Sequence, residues 1–120
     1  MDKWQAIHNF WAGFGIPAYD QTSVPDDAAM PYITYSAATG DFENPIPNTA
    51  SVWYYSSSWA AISQKVEEIA AAISPYKMVK VDGGYMCVVK GQPFAQRMED
   101  PNALVRRVYL VTQVEFFMED

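Results

Sequence analysis

The chain has 120 residues, of which 50% are hydrophobic and 15% aromatic, and its net charge is −6. This length predicts a single domain spanning residues 1–120, and the composition excludes a disordered chain. Eight basic against fourteen acidic residues disfavour a nucleic-acid partner, because neutralising phosphates needs clustered Lys and Arg. One cysteine excludes an internal disulfide framework, and no apolar run is long enough to span a membrane. We therefore expect a globular intracellular domain without a signal peptide.

The first part of the chain predicts a helix and then an irregular connection. Residues 2–14 place their large apolar side chains on one helical face: Trp4, Ile7, Trp11 and Phe14. His8 beside that face has no second ligand at helical spacing, which predicts a packing or surface role rather than a metal site. Residues 15–30 are rich in turn formers and predict irregular structure. Asp26 and Asp27 there predict a solvated turn rather than a cation site.

Two strands and the central helix come next. Residues 31–38 and residues 51–56 are rich in aromatic and β-branched side chains, which predicts two strands. Residues 39–48 between them contain two prolines and a glycine, so we expect a long projecting loop. Residues 58–73 then carry an apolar stripe at helical spacing: Trp59, Ile62, Val66, Ile69, Ala70 and Ile73. Ser57 or Ser58 is expected to cap this helix, and Pro75 to end it.

The last third predicts three strands. Residues 77–81 and 85–90 flank Asp82-Gly83-Gly84, the strongest hairpin signal in the chain. Residues 91–103 contain two prolines and predict a second long loop. Residues 104–117 predict the longest strand, with one face for the core: Val108, Leu110, Thr112, Val114 and Phe116. The order α-β-β-α-β-β-β predicts an α+β domain, with a mostly antiparallel sheet and two main helices packed on one face.

No familiar catalytic motif occurs in the sequence. It contains no nucleophile elbow, Walker loop, zinc-protease motif, paired-cysteine motif or dinucleotide fingerprint. Cys87 has no partner histidine nearby and is predicted to be a buried packing residue. We therefore expect no enzyme, no catalytic residue, no cofactor and no metal site. A hydrolase is the enzymatic alternative, for which the sequence supplies no nucleophile–base pair.

A concentration of aromatic side chains leaves a second alternative open. Trp53, Tyr54, Tyr55 and Trp59 lie within seven positions and could line a pocket for a small molecule. The same residues could instead pack the central helix against the sheet. The sequence favours the packing role, and a small-molecule-binding domain remains an alternative.

Four successive stretches of the sequence resemble a known family. They are IPAYDQTSVPDDAAMPYITYS, SVWYYSSSWAAISQKVEEIAAAI, VDGGYMCVVKGQPFAQRMEDP and RRVYLVTQVEFF. In this order they are similar to the small tail-completion proteins of siphophages and prophages, of the lambda tail-terminator type. The likeness covers nearly the whole chain and lies in the order of the segments.

The resemblance implies a structural protein. Such a protein assembles as a homo-oligomeric ring, commonly a hexamer, on the end of the tail tube. The ring ends tube polymerisation and forms the surface for head–tail joining, so the implied partners are further copies, the tail tube protein and the head–tail connector protein. The implied location is the virion tail, after assembly in the host cytoplasm. A head-closure or neck connector, or a minor capsid protein of the same morphogenesis module, is the alternative.

The composition of residues 91–103 and of the start of the strand that follows them predicts an assembly contact. Phe94 and Met98 are apolar, and Arg97, Arg106 and Arg107 concentrate three of the eight basic residues within eleven positions. Arginine beside aromatic and Met side chains is enriched at protein interfaces. In the alternative reading, Phe94 folds back onto the sheet and the arginines balance local acids, Glu99 and Asp100.

Overall fold

The computed structural model describes residues 1–37 and 45–119. These ranges contain two helices, α1 (Lys3–Ala12) and α2 (Ala60–Ile73). They also contain six strands: β1 (Ala18–Asp20), β2 (Tyr32–Tyr35), β3 (Ile46–Tyr55), β4 (Lys77–Val81), β5 (Gly84–Met98) and β6 (Val105–Met118). The α+β class is confirmed, and the predicted elements follow one another in the predicted order. Neither helix is long and apolar enough to cross a membrane.

All six strands belong to one sheet with the order β1-β2-β3-β6-β5-β4. Every neighbouring pair is antiparallel except β1 and β2, which are parallel. The short strand β1 lies inside residues 15–30, where the sequence predicted only irregular structure. Three residues are too few to show an alternating pattern. The strand exists because β2 supplies a partner, and the Ile33 N–H donates to the Pro17 carbonyl at 2.8 Å.

One face of the sheet is covered by both helices. The side chains of Ile7, Trp11, Ile62, Ile69 and Ile73 pack from the helices into a single buried cluster. The sheet contributes the alternate residues of its strands: Ile33, Val52, Met86, Val88, Val108, Leu110, Val114 and Phe116. The core face predicted for the last strand is therefore confirmed, including the buried Thr112.

Two aromatic residues that were predicted to belong to the buried helical stripes are not fully buried. Trp4, in the first turn of α1, is 54% exposed, whereas Trp11, about two turns later on nearly the same side of the helix, is buried. Trp59 precedes α2 and is half-buried rather than part of its buried stripe. The expected serine contact is present, since the Ala60 N–H donates to Ser58 Oγ at 2.9 Å, although Trp59 itself occupies the N-cap position.

The hairpin between β4 and β5 confirms the Asp-Gly prediction. Val81 pairs with Gly84, so the turn consists of Asp82 and Gly83, and Gly83 has a φ of 78°. Gly84 belongs to the strand. A Cβ at Gly84 would lie 2.1 Å from the Phe117 carbonyl oxygen, so the close approach of β6 requires a glycine there.

The two segments predicted to be long loops are partly strand, so the prediction of irregular structure is wrong for part of each segment. Residues 46–48 belong to β3, while Ala38 of the predicted first strand and residues 39–44 lie outside the described residues. Residues 91–98 continue β5, with a bulge between Lys90 and Ala95. Pro47 lies beyond the part of β3 that pairs with β2, and Pro93 lies beyond the part of β5 that pairs with β4. Each proline therefore sits where one side of its strand has no neighbour within the described chain, and proline is tolerated there.

Candidate interaction surface

Two of the predicted interface arginines meet on one tryptophan ring. The guanidinium carbon of Arg97 lies 4.6 Å from the centre of the Trp59 ring, and that of Arg106 lies 5.0 Å from it. Arg97 pairs with the buried Val108, and Arg106 is two residues before Val108, so both side chains leave the sheet on its helical side. Trp59 lies on the same side, just before α2. We call Trp59, Arg97 and Arg106 the arginine–tryptophan cluster.

The two arginines of this cluster differ in their hydrogen-bond partners. Arg106 is half-buried and donates from Nε to the Ser56 carbonyl at 3.1 Å and from a terminal nitrogen to the Ser57 carbonyl at 3.0 Å. These bonds hold the connection from β3 to α2 against β6. Arg97 is exposed and forms no hydrogen bond or ion pair with the described residues. Its guanidinium donors are therefore available to a partner.

The acids that follow β5 do not neutralise this cluster directly. Within the described chain, no carboxylate oxygen lies within 4.0 Å of a nitrogen of Arg97, Arg106 or Arg107. Asp100 instead accepts a hydrogen bond from the Asn102 N–H at 3.0 Å. Glu99 and Asp100 share with Trp59 and Arg106 a surface hollow of about 310 Å³. Among the described residues, no direct contact supports the alternative in which the arginines balance local acids.

The structure places two of the other three predicted interface residues, Phe94 and Arg107, apart from this cluster. Phe94 is half-buried against the core, with Lys90 Nζ 5.9 Å from its ring centre. Arg107 lies on the opposite face of the sheet, where its guanidinium carbon is 4.7 Å from the centre of the Trp53 ring. Met98 is the register partner of Arg107 and lines the same surface hollow as Trp59 and Arg106. The five predicted residues thus do not form one patch, and sequence reasoning missed the role of Trp59 in joining two of them.

The aromatic residues considered for a small-molecule pocket are also divided between the two faces. Trp53 lies on the face without helices, and its indole N–H donates to Thr34 Oγ1 at 2.9 Å. Tyr54 and Trp59 pack against the core from the helical side, and Tyr55 is 60% exposed. This separation leaves no common pocket for the four side chains and favours the packing role.

An exposed apolar patch lies on the face without helices, at the β4 side. Tyr76, Met78, Cys87 and Phe117 surround an open hollow of about 390 Å³. Cys87 is half-buried rather than buried as predicted, because it alternates with Met86 and Val88, which point into the core. Burial raises the pKa of its thiol, and the nearby Glu115 carboxylate raises it further. Alternation along the predicted strands could have indicated this patch.

The remaining titratable candidates are surface groups with local partners. His8 is exposed, and its Nδ1 lies 2.7 Å from the hydroxyl oxygen of Tyr35, which agrees with a surface or packing role. Asp26 and Asp27 form an exposed turn, as predicted. Asp20 accepts hydrogen bonds from the Thr22 hydroxyl and N–H, and these bonds hold the pKa of its carboxyl below the usual value.

Comparison with known proteins identifies similar architecture at low sequence identity. No protein-family model and no curated protein sequence matches the chain. A chain of the solved structure titled "Virion of native gene transfer agent (GTA) particle" is similar to it with a TM-score of 0.61 and 15% identity. The similarity covers 96% of this chain and 94% of that chain. At this identity, the comparison shows that the two chains share a fold.

Proposed function

We propose that this protein is a structural component of a phage-type virion, acting as a tail terminator. It assembles into a homo-oligomeric ring of six copies on the end of the tail tube, ends tube polymerisation and forms the surface that joins the tail to the head. The observation that carries the proposal is the similarity to a chain of a gene transfer agent virion over nearly the full length of both chains. The order of segments in the sequence supports the tail-terminator role.

The surface of the molecule supports a role in assembly. At the arginine–tryptophan cluster the exposed Arg97, whose donors are available, lies beside the half-buried apolar side chains of Trp59 and Met98. Such a combination is typical of contacts between proteins. In this proposal Arg97, Met98 and Arg106 contribute to a contact between subunits. Arg107 and Phe94 support the same region from the other face of the sheet and from the core.

Electron microscopy of the purified protein with isolated tail tubes tests the function. Rings on the tube ends, and tubes that no longer elongate when subunits are added, are the expected result. Heads lacking tails serve as the comparison sample, since a head-closure or neck protein would bind those heads rather than the tubes. A protein that stays monomeric and binds neither sample would refute the virion role.

A further inference from the structure

Acidic and basic residues are distributed unevenly along the chain, and the strand order of the sheet separates the base-free part from the rest in space. Residues 4–64 contain five acidic residues and no Lys or Arg, whereas residues 65–107 contain seven of the eight basic residues together with five acidic ones. The first of these ranges supplies β1, β2 and β3, and the second supplies β4, β5 and the start of β6. Because the sheet order is β1-β2-β3-β6-β5-β4, the base-free strands occupy one half and the strands with basic residues the other.

The basic half ends in an unpaired stretch of strand. β4 pairs with β5 only at residues 84–88, while β5 continues to Met98. No strand of the described chain pairs with the outer edge of residues 89–98. Arg97 lies on this edge with its guanidinium available, and Arg106 lies beside it on the Trp59 ring. The stretch therefore offers backbone hydrogen-bonding groups together with the available guanidinium of Arg97, while the acids Glu99 and Asp100 follow it in the chain.

The opposite edge of the sheet is acidic. β1 pairs only with β2, and the segment after it carries the exposed residues Asp26 and Asp27. Neither of these two carboxylates forms an ion pair with the described residues. Asp20 at the end of β1 adds a third carboxylate. β1 and the segment that follows it therefore carry three carboxylates without an ion-pair partner among the described residues.

The β1 edge and the free edge of β5 lie at the same position along the strand direction. Register partners run in a row from β1 to β5: Ala18, Ile33, Val52, Val108 and Arg97. A second copy placed beside the first, in line with its sheet, brings its β1 edge against the free β5 edge. This arrangement is head-to-tail, and its repetition closes a ring when the rotation between copies allows it.

We propose that the free edge of β5, with Arg97 and Arg106, binds the acidic β1 side of a second copy through Asp20, Asp26 and Asp27. This inference rests on the proposed ring and identifies the surfaces that build it. The occupant is a second copy because the chain itself carries the complementary charge at the opposite edge. The contact also offsets part of the repulsion between subunits that each carry a net charge of −6.

Two charge-reversal variants test the contact. Arg97→Glu makes both edges acidic, and Asp26→Arg combined with Asp27→Arg makes both edges basic. Each variant alone should raise the subunit concentration needed for ring formation at least about tenfold, because like charges then meet at every contact. An equal mixture should restore assembly, since alternating copies pair opposite charges at every contact of a six-membered ring. Light scattering measures the assembled fraction, and circular dichroism checks the fold.

A matched control lies on the same half of the sheet. Lys80→Glu changes one exposed charge on β4 by the same amount as Arg97→Glu, at a position paired with Tyr85 and outside the free edge, and should leave assembly unchanged. Normal assembly of both charge-reversal variants, or a mixture that stays monomeric, would overturn the inference while leaving the ring proposal intact. An equal loss in the β4 control would also overturn it, because net charge would then be the cause. Wild-type protein that forms no ring even with tail tubes would refute both proposals.

Discussion

The two faces of the sheet differ in what covers them. On the helical face, alternate side chains are almost completely buried, as Phe116 in β6 with 1% exposure illustrates. On the other face the next residue, Phe117, is 51% exposed beside Met78 and Tyr76. One residue of displacement along a strand therefore moves an identical side chain from the core to the surface. The difference separates side chains that stabilise the fold from side chains that are available for contact.

The largest expected effect is on the buried face. Phe116→Ala should lower the free energy of unfolding by about 3–5 kcal/mol, because it removes a fully buried ring and leaves a cavity. Phe117→Ala, the matched control, should cost about 1 kcal/mol because half of its surface is already exposed. Urea denaturation measures both. Equal losses would show that the two faces are equally packed.

Trp59 lies between these extremes and should show an intermediate effect. Trp59→Ala should lower the free energy of unfolding by about 1–3 kcal/mol, since the ring is half-buried and stacks with two arginines. Trp4→Ala, at a 54% exposed tryptophan, should cost less than about 1 kcal/mol. Thermal and urea unfolding measure the difference. A loss for Trp59→Ala as large as that for Phe116→Ala would place Trp59 in the core.

The two arginines of the arginine–tryptophan cluster should separate stability from assembly. Arg106→Ala should cost about 1–2 kcal/mol, because it removes hydrogen bonds to the Ser56 and Ser57 carbonyls. Arg97→Ala should change the free energy of unfolding by less than about 0.5 kcal/mol, since its side chain is exposed and stacks only on Trp59. Urea unfolding measures both variants. A larger loss for Arg97→Ala than for Arg106→Ala would reverse the roles assigned to them.

The smallest effect concerns Cys87 on the face without helices. Its raised thiol pKa means that less thiolate is present at pH 8 in the folded protein than in the unfolded chain. Alkylation by iodoacetamide should therefore be slower in the folded protein and should accelerate at higher pH. Because the folded pKa is raised, the associated stability is present below the unfolded pKa and is lost as the pH rises through the folded value. Equal alkylation rates in native buffer and in urea would contradict this account.

The elements that were predicted correctly are those whose sequence signal lies within a short stretch of the chain. The Asp82-Gly83 hairpin, the apolar period of α2 and the alternation of β6 each appear within a short window, and the structure confirms all three. The errors occurred where a distant strand supplies the partner. β1 exists because β2 lies beside it, and the second half of β5 exists because β6 pairs with it across a bulge.

The sequence by itself determined the α+β class, the core face of β6 and the separation of charge between residues 4–64 and 65–107. These features depend on residue type and short-range period. Only the tertiary structure decided that Arg97 and Arg106 meet on Trp59 while Arg107 turns to the other face. Strand order and register set those positions, and both arise from pairings between residues far apart in the chain. The strand order therefore placed the strands without Lys or Arg in one half of the sheet and the strands that carry basic residues in the other.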